Sequence, residues 1–151
     1  MITTNTSEAD KACILALIND RIEATRNKDI DGALAGYAPD VVSFDVVDPL
    51  TYNGLGAIRK RLEEWFSSFG GPIGLAISGL KIYNSNDVAF CYGLSHVDAT
   101  TKDGKKLDMW WRETNCLRKI NGAWMITHIH SSVPFNVQTG NASLDLKPPV
   151  S

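Results

Sequence analysis

The sequence predicts an α+β fold in which three N-terminal helices pack on a strongly curved antiparallel or mixed β-sheet and enclose a conical pocket. Helical periodicity is confined to the first half of the chain, whereas residues 73–134 carry β-patterned runs. Two of these runs are joined by an Asn-Gly pair at 121–122, the strongest short-range hairpin signal. Because the strands are long, the sheet should twist and curl around the helices.

Three helices are predicted. The first runs from about residue 7 to 28, with apolar residues at steps of three and four and with Ser7 as its N-cap. Asp29 caps a second, shorter helix that carries Tyr37 and is ended by Pro39. The third spans about 55–69, and its apolar stripe consists of Ile58, Leu62, Trp65, Phe66 and Phe69.

Five strands are predicted from β-branched and alternating runs. The first is short, at 41–47, and the others span about 73–83, 88–101, 105–120 and 123–133. The polar sequence after residue 135 contains Pro148-Pro149 and indicates an extended arm or a disordered end.

Length and composition indicate one domain, 1–151, with its core at about 8–135 and a polar tail at 136–151. A formal net charge of −2 and the lack of a basic patch give no reason to expect nucleic acid or a membrane as a partner. The three cysteines are scattered in apolar surroundings, which favours reduced thiols over a disulfide framework. Without a signal-peptide pattern or an apolar run of membrane-spanning length, the expected location is the cytoplasm.

The register of the last hairpin can be written outward from its Asn-Gly turn. A two-residue turn places Glu113 opposite His130 and Asn115 opposite His128. Residues directly across a ladder share a face of the sheet. We therefore expect these four side chains on one face.

The same reasoning extends one strand back through an Asp-Gly pair at 103–104. A two-residue turn there places His96 opposite Trp111, with Phe90 and Tyr92 on the same face. A face so rich in aromatic and titratable groups is expected to be covered and to face a pocket. The alternative is an ordinary sheet core with a few hydrogen-bonded polar groups.

The order of these features resembles a known superfamily. A short strand ending in Phe44-Asp45, a proline, a glycine opening the third helix and a final GxW…HxHxSxP pattern are similar to nuclear-transport-factor-2-like proteins. Within them, the SnoaL-like and ketosteroid-isomerase-like proteins are most similar, over about residues 9–135. The resemblance implies a cystatin-like cone. It leaves the activity open, because the fold carries isomerases, cyclases, dehydratases, hydrolases and oligomerisation modules.

The resemblance also suggests roles for single positions. Counted back from Gly54, Asp45 falls where ketosteroid isomerases carry their catalytic base. Arg21 stands at the position of their oxyanion-hole tyrosine, and Asn115 lies near that of their protonated aspartate. Steroid isomerase activity itself is therefore not expected. The chain's ending also resembles the association domain of calcium/calmodulin-dependent kinase II, where the position of Asn115 is a pocket arginine.

The first functional hypothesis is a cofactor-independent enzyme that transfers protons on a small hydrophobic, oxygenated molecule. Asp45 would be the base, and His96, His130 or Tyr92 would donate to the developing oxyanion, with Glu113 orienting His130. The predicted catalytic residues are Asp45, His96, Glu113 and His130. The predicted substrate-binding residues are Tyr37, Tyr52, Trp65, Phe90, Tyr92, Trp111, Asn115 and His128.

Other interpretations remain open. The pocket could bind a ligand without catalysing a reaction, or the chain could act as an oligomerisation module. Asp45 could merely hold the 46–53 loop. A metal site built on His128 and His130, with Glu113 or His96, is a third hypothesis, although no metal is expected. The reverse face of the sheet carries an apolar band, from which we expect a homodimer.

Overall fold

The structure is a computed structural model that describes residues 2–149, with side chains described from residue 7. It confirms the α+β fold. The helices are α1 (Ile2–Arg26), α2 (Ile30–Leu34) and α3 (Leu55–Ser67). The strands are β1 (Tyr37–Phe44), β2 (Tyr52–Asn53), β3 (Gly74–Asn84), β4 (Val88–Thr100), β5 (Lys106–Ile120) and β6 (Ala123–Ser132).

The six strands form one mixed, curved sheet in the order β2-β1-β6-β5-β4-β3. Only β1 and β6 are parallel, and the remaining neighbours are antiparallel. The helices pack on one side, which we call the concave face. The opposite side is called the convex face.

The helices depart from the prediction at their ends. α1 begins at Ile2, ahead of the expected N-cap Ser7. Asp29 caps α2 as expected, since its side chain accepts a hydrogen bond from the Gly32 amide at 3.1 Å. However, α2 ends at Leu34, and Tyr37 opens β1 instead of continuing the helix. Tyr37 is therefore anchored by the sheet, where it pairs with Ile126 of β6.

The core lies between the helices and the concave face. Ile14 and Ile18, four residues apart on α1, are completely buried in one cluster with Leu117 and Ile126 of the central strands. A second cluster gathers around Phe66 and Phe69 at the end of α3. Burial of a large apolar side chain contributes about 1.5–3 kcal/mol, so these clusters hold the helices firmly on the sheet.

The last hairpin follows the predicted register only as far as its first four pairs. Asn121 and Gly122 both have positive φ, as a type I′ turn requires, and Leu117 pairs with Ile126 as predicted. The next pair, however, is Cys116 with His128, so Thr127 is an extra residue in β6. This β-bulge shifts every later pair by one position.

The preceding hairpin is shifted for a different reason. Its connection has three residues, 102–104, because the Thr101 amide bonds to the Lys105 carbonyl and Thr100 pairs with Lys106. Gly104 takes the positive φ of 86° that closes such three-residue loops. His96 therefore lies opposite Trp110, and the predicted pairing with Trp111 is wrong.

Candidate functional site

A cavity of about 540 Å³ lies between the helices and the concave face. This volume is within the range of about 300–1,000 Å³ typical of small-molecule sites. Its wall is mainly apolar, formed by Val46, Val47, Ile58, Leu62, Trp65, Leu75, Val97, Leu107, Met109, Trp111, Ile129, Val133, Ala142 and Leu144. Its charged lining residues are Arg21, Asp45, Arg61 and Glu113.

Seven of the predicted site residues lie at or directly behind this cavity. Those that line it are Tyr37, Asp45, Tyr52, Trp65, Trp111 and Glu113. Asn115 lies behind Glu113, completely buried, and donates a hydrogen bond to its carboxylate at 3.0 Å. These positions come from β1, the loop that follows it, β2, α3 and β5.

The other five predicted residues do not line the cavity. The one-residue shifts turn all three histidines and two aromatic residues to the convex face: Phe90, Tyr92, His96, His128 and His130. There, His96 stacks on Trp110 with ring centroids 4.4 Å apart, and His128 Nδ1 lies 2.7 Å from the Val42 carbonyl oxygen. The predicted inward orientation of these side chains is therefore wrong, because moving a register by one residue exchanges the two faces.

Glu113 does not orient His130; it forms a buried ion pair with Arg21 of α1. The Arg21 Nη2 atom donates to Glu113 Oε2 at 2.6 Å, and Ser95 Oγ lies 3.3 Å from Oε1. Only 12% and 4% of the two charged side chains are exposed. This pair fixes α1 to the middle of β5 and forms part of the cavity wall.

Burial and charge set the protonation states at this end of the cavity. Burial opposes the charged form of Glu113, but the Arg21 guanidinium and the Asn115 amide outweigh it and hold its pKa below the usual value. Burial raises the pKa of Tyr37, and the attraction of Arg21 offsets this only in part. At neutral pH, Glu113 is therefore ionised and the Tyr37 hydroxyl keeps its proton.

Asp45 follows directly after β1 and is partly exposed at the cavity wall. Its Oδ2 atom accepts a hydrogen bond from Arg61 Nε at 3.0 Å, and Oδ1 accepts one from the Val46 amide at 2.6 Å. The bond to Val46 is consistent with the alternative role of Asp45, which is to hold the loop that follows it. Asp45 nevertheless also faces the cavity, where a ligand can reach it.

Sequence reasoning did not assign Arg21, Arg61 or the C-terminal residues to the site. Arg21 had a detectable signal, because it follows Ile14 and Ile18 on the stripe of α1 that faces the core. A charged residue at such a position requires a buried partner. The C-terminal contribution of Ala142 and Leu144 had no signal, since the composition of that segment is typical of an exposed tail.

The metal hypothesis is not supported by this arrangement. His128 and His130 lie on the convex face, whereas Glu113 lies on the concave face. Among residues 2–149, no three His, Cys, Asp or Glu side chains are grouped as metal ligands. Within the same range, no helix combines the length and apolar character that crossing a bilayer requires.

This helix-covered, curved sheet with an internal cavity defines a protein of the nuclear-transport-factor-2-like class. Residues 14–136 match the family described as SnoaL-like domain. The chain therefore belongs to the SnoaL-like family, as its sequence features predicted. No curated protein matches the chain significantly.

Solved structures support the same assignment. A nuclear-transport-factor-2-like protein of unknown function from Pseudomonas putida is 30% identical, with 94% of this chain and 99% of that chain covered and a TM-score of 0.85. A ketosteroid isomerase-like protein from Erwinia carotovora atroseptica is 24% identical, covering 80% and 93% with a TM-score of 0.69. A protein with a cystatin-like fold from Nostoc punctiforme is 20% identical, covering 83% and 92% with a TM-score of 0.70. The last two show similarity of fold alone.

Proposed function

We propose that this chain binds a small, neutral, mainly apolar molecule with an oxygen function and catalyses acid/base chemistry on it. The reaction would be of the isomerase, cyclase, dehydratase or hydrolase type and would use the chain's own side chains. The observation that carries this proposal is an apolar cavity whose wall includes a carboxylate, Asp45, and a protonated phenol, Tyr37.

The charges of the cavity favour a neutral ligand. Arg21 is paired with Glu113 and Arg61 with Asp45, so the four ionised lining residues carry no net charge. An ionised ligand group would have to break one of these pairs or remain uncompensated in an apolar cavity, which is costly. A carbonyl, ether or hydroxyl oxygen needs only a hydrogen-bond donor.

The geometry gives each polar group a role. Asp45 would accept a proton from carbon or oxygen, because its carboxylate reaches the cavity while Arg61 and Val46 hold it in place. The Tyr37 hydroxyl would donate a hydrogen bond to the ligand oxygen as negative charge develops there. The Arg21 charge next to Tyr37 would stabilise the same oxyanion. His96, His130 and Tyr92, the donors first predicted, are replaced in this scheme.

A second candidate is a binding protein that performs no chemistry. It is favoured by the ion pairing of both cavity carboxylates, since an arginine that holds a carboxylate competes with proton transfer to it. The two candidates share a ligand class. They differ in whether the bound molecule is turned over.

We expect neutral ligands to stabilise the protein and charged analogues not to. The test compares the melting temperature in the presence of neutral cyclic ketones, epoxides and polyketide-like esters with that in the presence of carboxylates on the same carbon skeletons. At about 100 times its Kd, a ligand adds about 2.7 kcal/mol, which raises the melting temperature of a domain of this size by roughly 5–10 °C. Compounds that bind are then followed for conversion by mass spectrometry. Equal stabilisation by each carboxylate would refute the neutral-ligand assignment, and no shift with any compound would refute the site.

A second copy of the chain is the partner we propose for the convex face. Rows of side chains cross the strands there, and one row consists of Val42, His128, Cys116, Phe90 and Tyr83. Aromatic residues and arginine are enriched at protein interfaces, and this face also carries Tyr92, Trp110 and Arg112. Five strands about 4.8 Å wide and ten residues of about 3.3 Å give a face of roughly 800 Å². A stable interface needs about 800 Å² per partner.

We expect the Tyr92→Lys variant to be monomeric at concentrations at which the unmodified protein is a dimer. Tyr92 is 44% exposed on the convex face, in β4, so lysines there would bury two charges at a symmetric contact between copies. Sedimentation velocity between about 1 and 100 μM would measure the change, a range over which typical dimers dissociate. Leu15→Lys is a matched control, because Leu15 is 43% exposed but lies on α1. A monomeric unmodified protein, or equal effects of the two variants, would contradict this interface.

The location that we propose is the cytoplasm. Cys13, Cys91 and Cys116 are free thiols, and Cys13 is exposed, which suits a reducing compartment.

A further inference from the structure

The C-terminal segment contributes to the cavity wall. Residues 134–144 follow β6 and fold back, so that Phe135 forms a β-bridge with Ala142. Ala142 and Leu144 then line the cavity. The segment, which we call the C-terminal cover, is therefore part of the site although its sequence is typical of a free tail.

The cover is held together by its own hydrogen bonds. The Asn136 amide bonds to the Asn141 carbonyl at 2.8 Å, and the Ser143 amide bonds to the Pro134 carbonyl at 2.8 Å. The Asn136 side chain also accepts from the amides of Gln138 and Thr139, at 2.9 and 3.1 Å. Such an asparagine turn stabilises a compact loop without outside help.

The cover is attached to the domain only weakly. Within the part of the chain that the structure describes, every hydrogen bond recorded for residues 134–143 has both partners inside that segment. Its chain link to the domain follows Val133, and of residues 134–144 only Pro134 and Ser143 are half-buried, the others being exposed. Segments with few buried contacts open at low free energy.

We infer that the C-terminal cover is a hinged wall that opens to admit the ligand and that Leu144 determines which ligands are held. This inference rests on the proposed function, since it takes the cavity to be the ligand site. A cover that moves as one unit about Val133 and Pro134 leaves the sheet and its ion pairs intact. Because Leu144 and Ala142 present only hydrocarbon to the cavity, the part of the ligand beneath them is apolar.

The contribution of Leu144 is tested with a matched pair of variants. Leu144 and Leu146 are two residues apart and 50% and 53% exposed, but only Leu144 belongs to the cover and lines the cavity. The probe is N-phenyl-1-naphthylamine, a neutral apolar dye whose fluorescence rises on binding. For Leu144→Ser we expect the Kd to rise about three- to tenfold, from loss of part of a leucine contact. Leu146→Ser should change it by less than about twofold on the same scale.

The motion of the cover is tested by loosening its internal turn. Asn136→Ala removes both side-chain acceptor bonds. The Asn141 side chain makes no hydrogen bond to any residue that the structure describes, so Asn141→Ala is the control. Stopped-flow mixing with the same dye should show association and dissociation rate constants several-fold higher for Asn136→Ala than for the control. Circular dichroism confirms that each variant is folded.

The outcomes separate this inference from the proposed function. If the unmodified protein does not bind the dye or any other neutral apolar probe, the proposed function fails and the cover has no ligand to admit. If the protein binds the dye but Leu144→Ser matches Leu146→Ser, and Asn136→Ala matches Asn141→Ala, the cover inference alone is overturned. Higher Kd for Leu144→Ser together with faster exchange for Asn136→Ala supports it.

Discussion

The Glu113→Leu variant should unfold with a free energy about 3–5 kcal/mol lower than that of the unmodified protein, the usual cost of removing one partner of a buried ion pair. Glu113 is 5% exposed, and its carboxylate accepts a hydrogen bond from the Arg21 guanidinium at 2.6 Å. Leucine would leave that cation uncompensated in the core. Urea unfolding followed by tryptophan fluorescence measures the loss, which a domain of ordinary stability, about 5–15 kcal/mol, can survive.

Two controls test whether the loss of stability comes from the uncompensated charge of Arg21. The double variant Arg21→Met with Glu113→Leu removes both ions, so we expect it to recover most of the lost stability. Asp98→Asn breaks the exposed pair with Lys106 and should leave the unfolding curve unchanged. A Glu113→Leu variant as stable as the unmodified protein would show that the pair does not hold α1 on the sheet.

The pH dependence of stability gives an independent measurement of the same pair. The pKa of Glu113 in the folded protein lies below its ordinary value of 4.5, because Arg21 outweighs the effect of burial. A group with a lowered folded pKa contributes its full stability above the unfolded pKa and loses it as the pH falls through the folded pKa. The unmodified protein should therefore lose stability below about pH 4.5 more steeply than Glu113→Leu does. Parallel pH profiles would contradict this assignment.

The strands were more predictable than the faces that they present. β3 to β6 begin and end within one residue of the predicted positions, because alternation and turn residues are local signals. The bulge at Thr127 and the third loop residue at 102–104 are choices between connections of nearly equal local energy. Each choice displaced the pairing by a single residue, which moved His96 and His130 from the predicted interior to the convex face.

The predicted site residues that lie outside the two shifted hairpins are at the cavity, as predicted. Asp45 and Trp65 line the cavity because the end of β1 and the apolar stripe of α3 both point to the interior whatever the register of the hairpins. Glu113 also lies on the concave face, but its partner is Arg21 and not the predicted histidine. That pairing joins residues 92 positions apart, and such contacts are determined by the assembled fold.

For Asp45→Asn we expect turnover of a bound ligand to fall by about 10²–10⁴, the usual contribution of a general base. Asparagine keeps the size of the side chain and one acceptor oxygen for Arg61 or Val46, so the cavity should keep its shape. Binding of a neutral ligand should then change little, because the substitution removes a proton acceptor and not a wall. The measurement is the initial rate with the compound converted in the ligand screen, together with its Kd.

Asp40→Asn is the matched control, since Asp40 is an exposed aspartate on β1, the strand that precedes Asp45, and does not line the cavity. It should leave both rate and Kd unchanged. If Asp45→Asn also retained the full rate, Asp45 would hold the loop and nothing more, and Tyr37 would be the next group to test. If neutral ligands bound and none was converted, the two paired carboxylates would be structural charges, and the cavity would belong to a binding protein. The same substitution thus decides whether the ion pair with Arg61 positions a base or suppresses one.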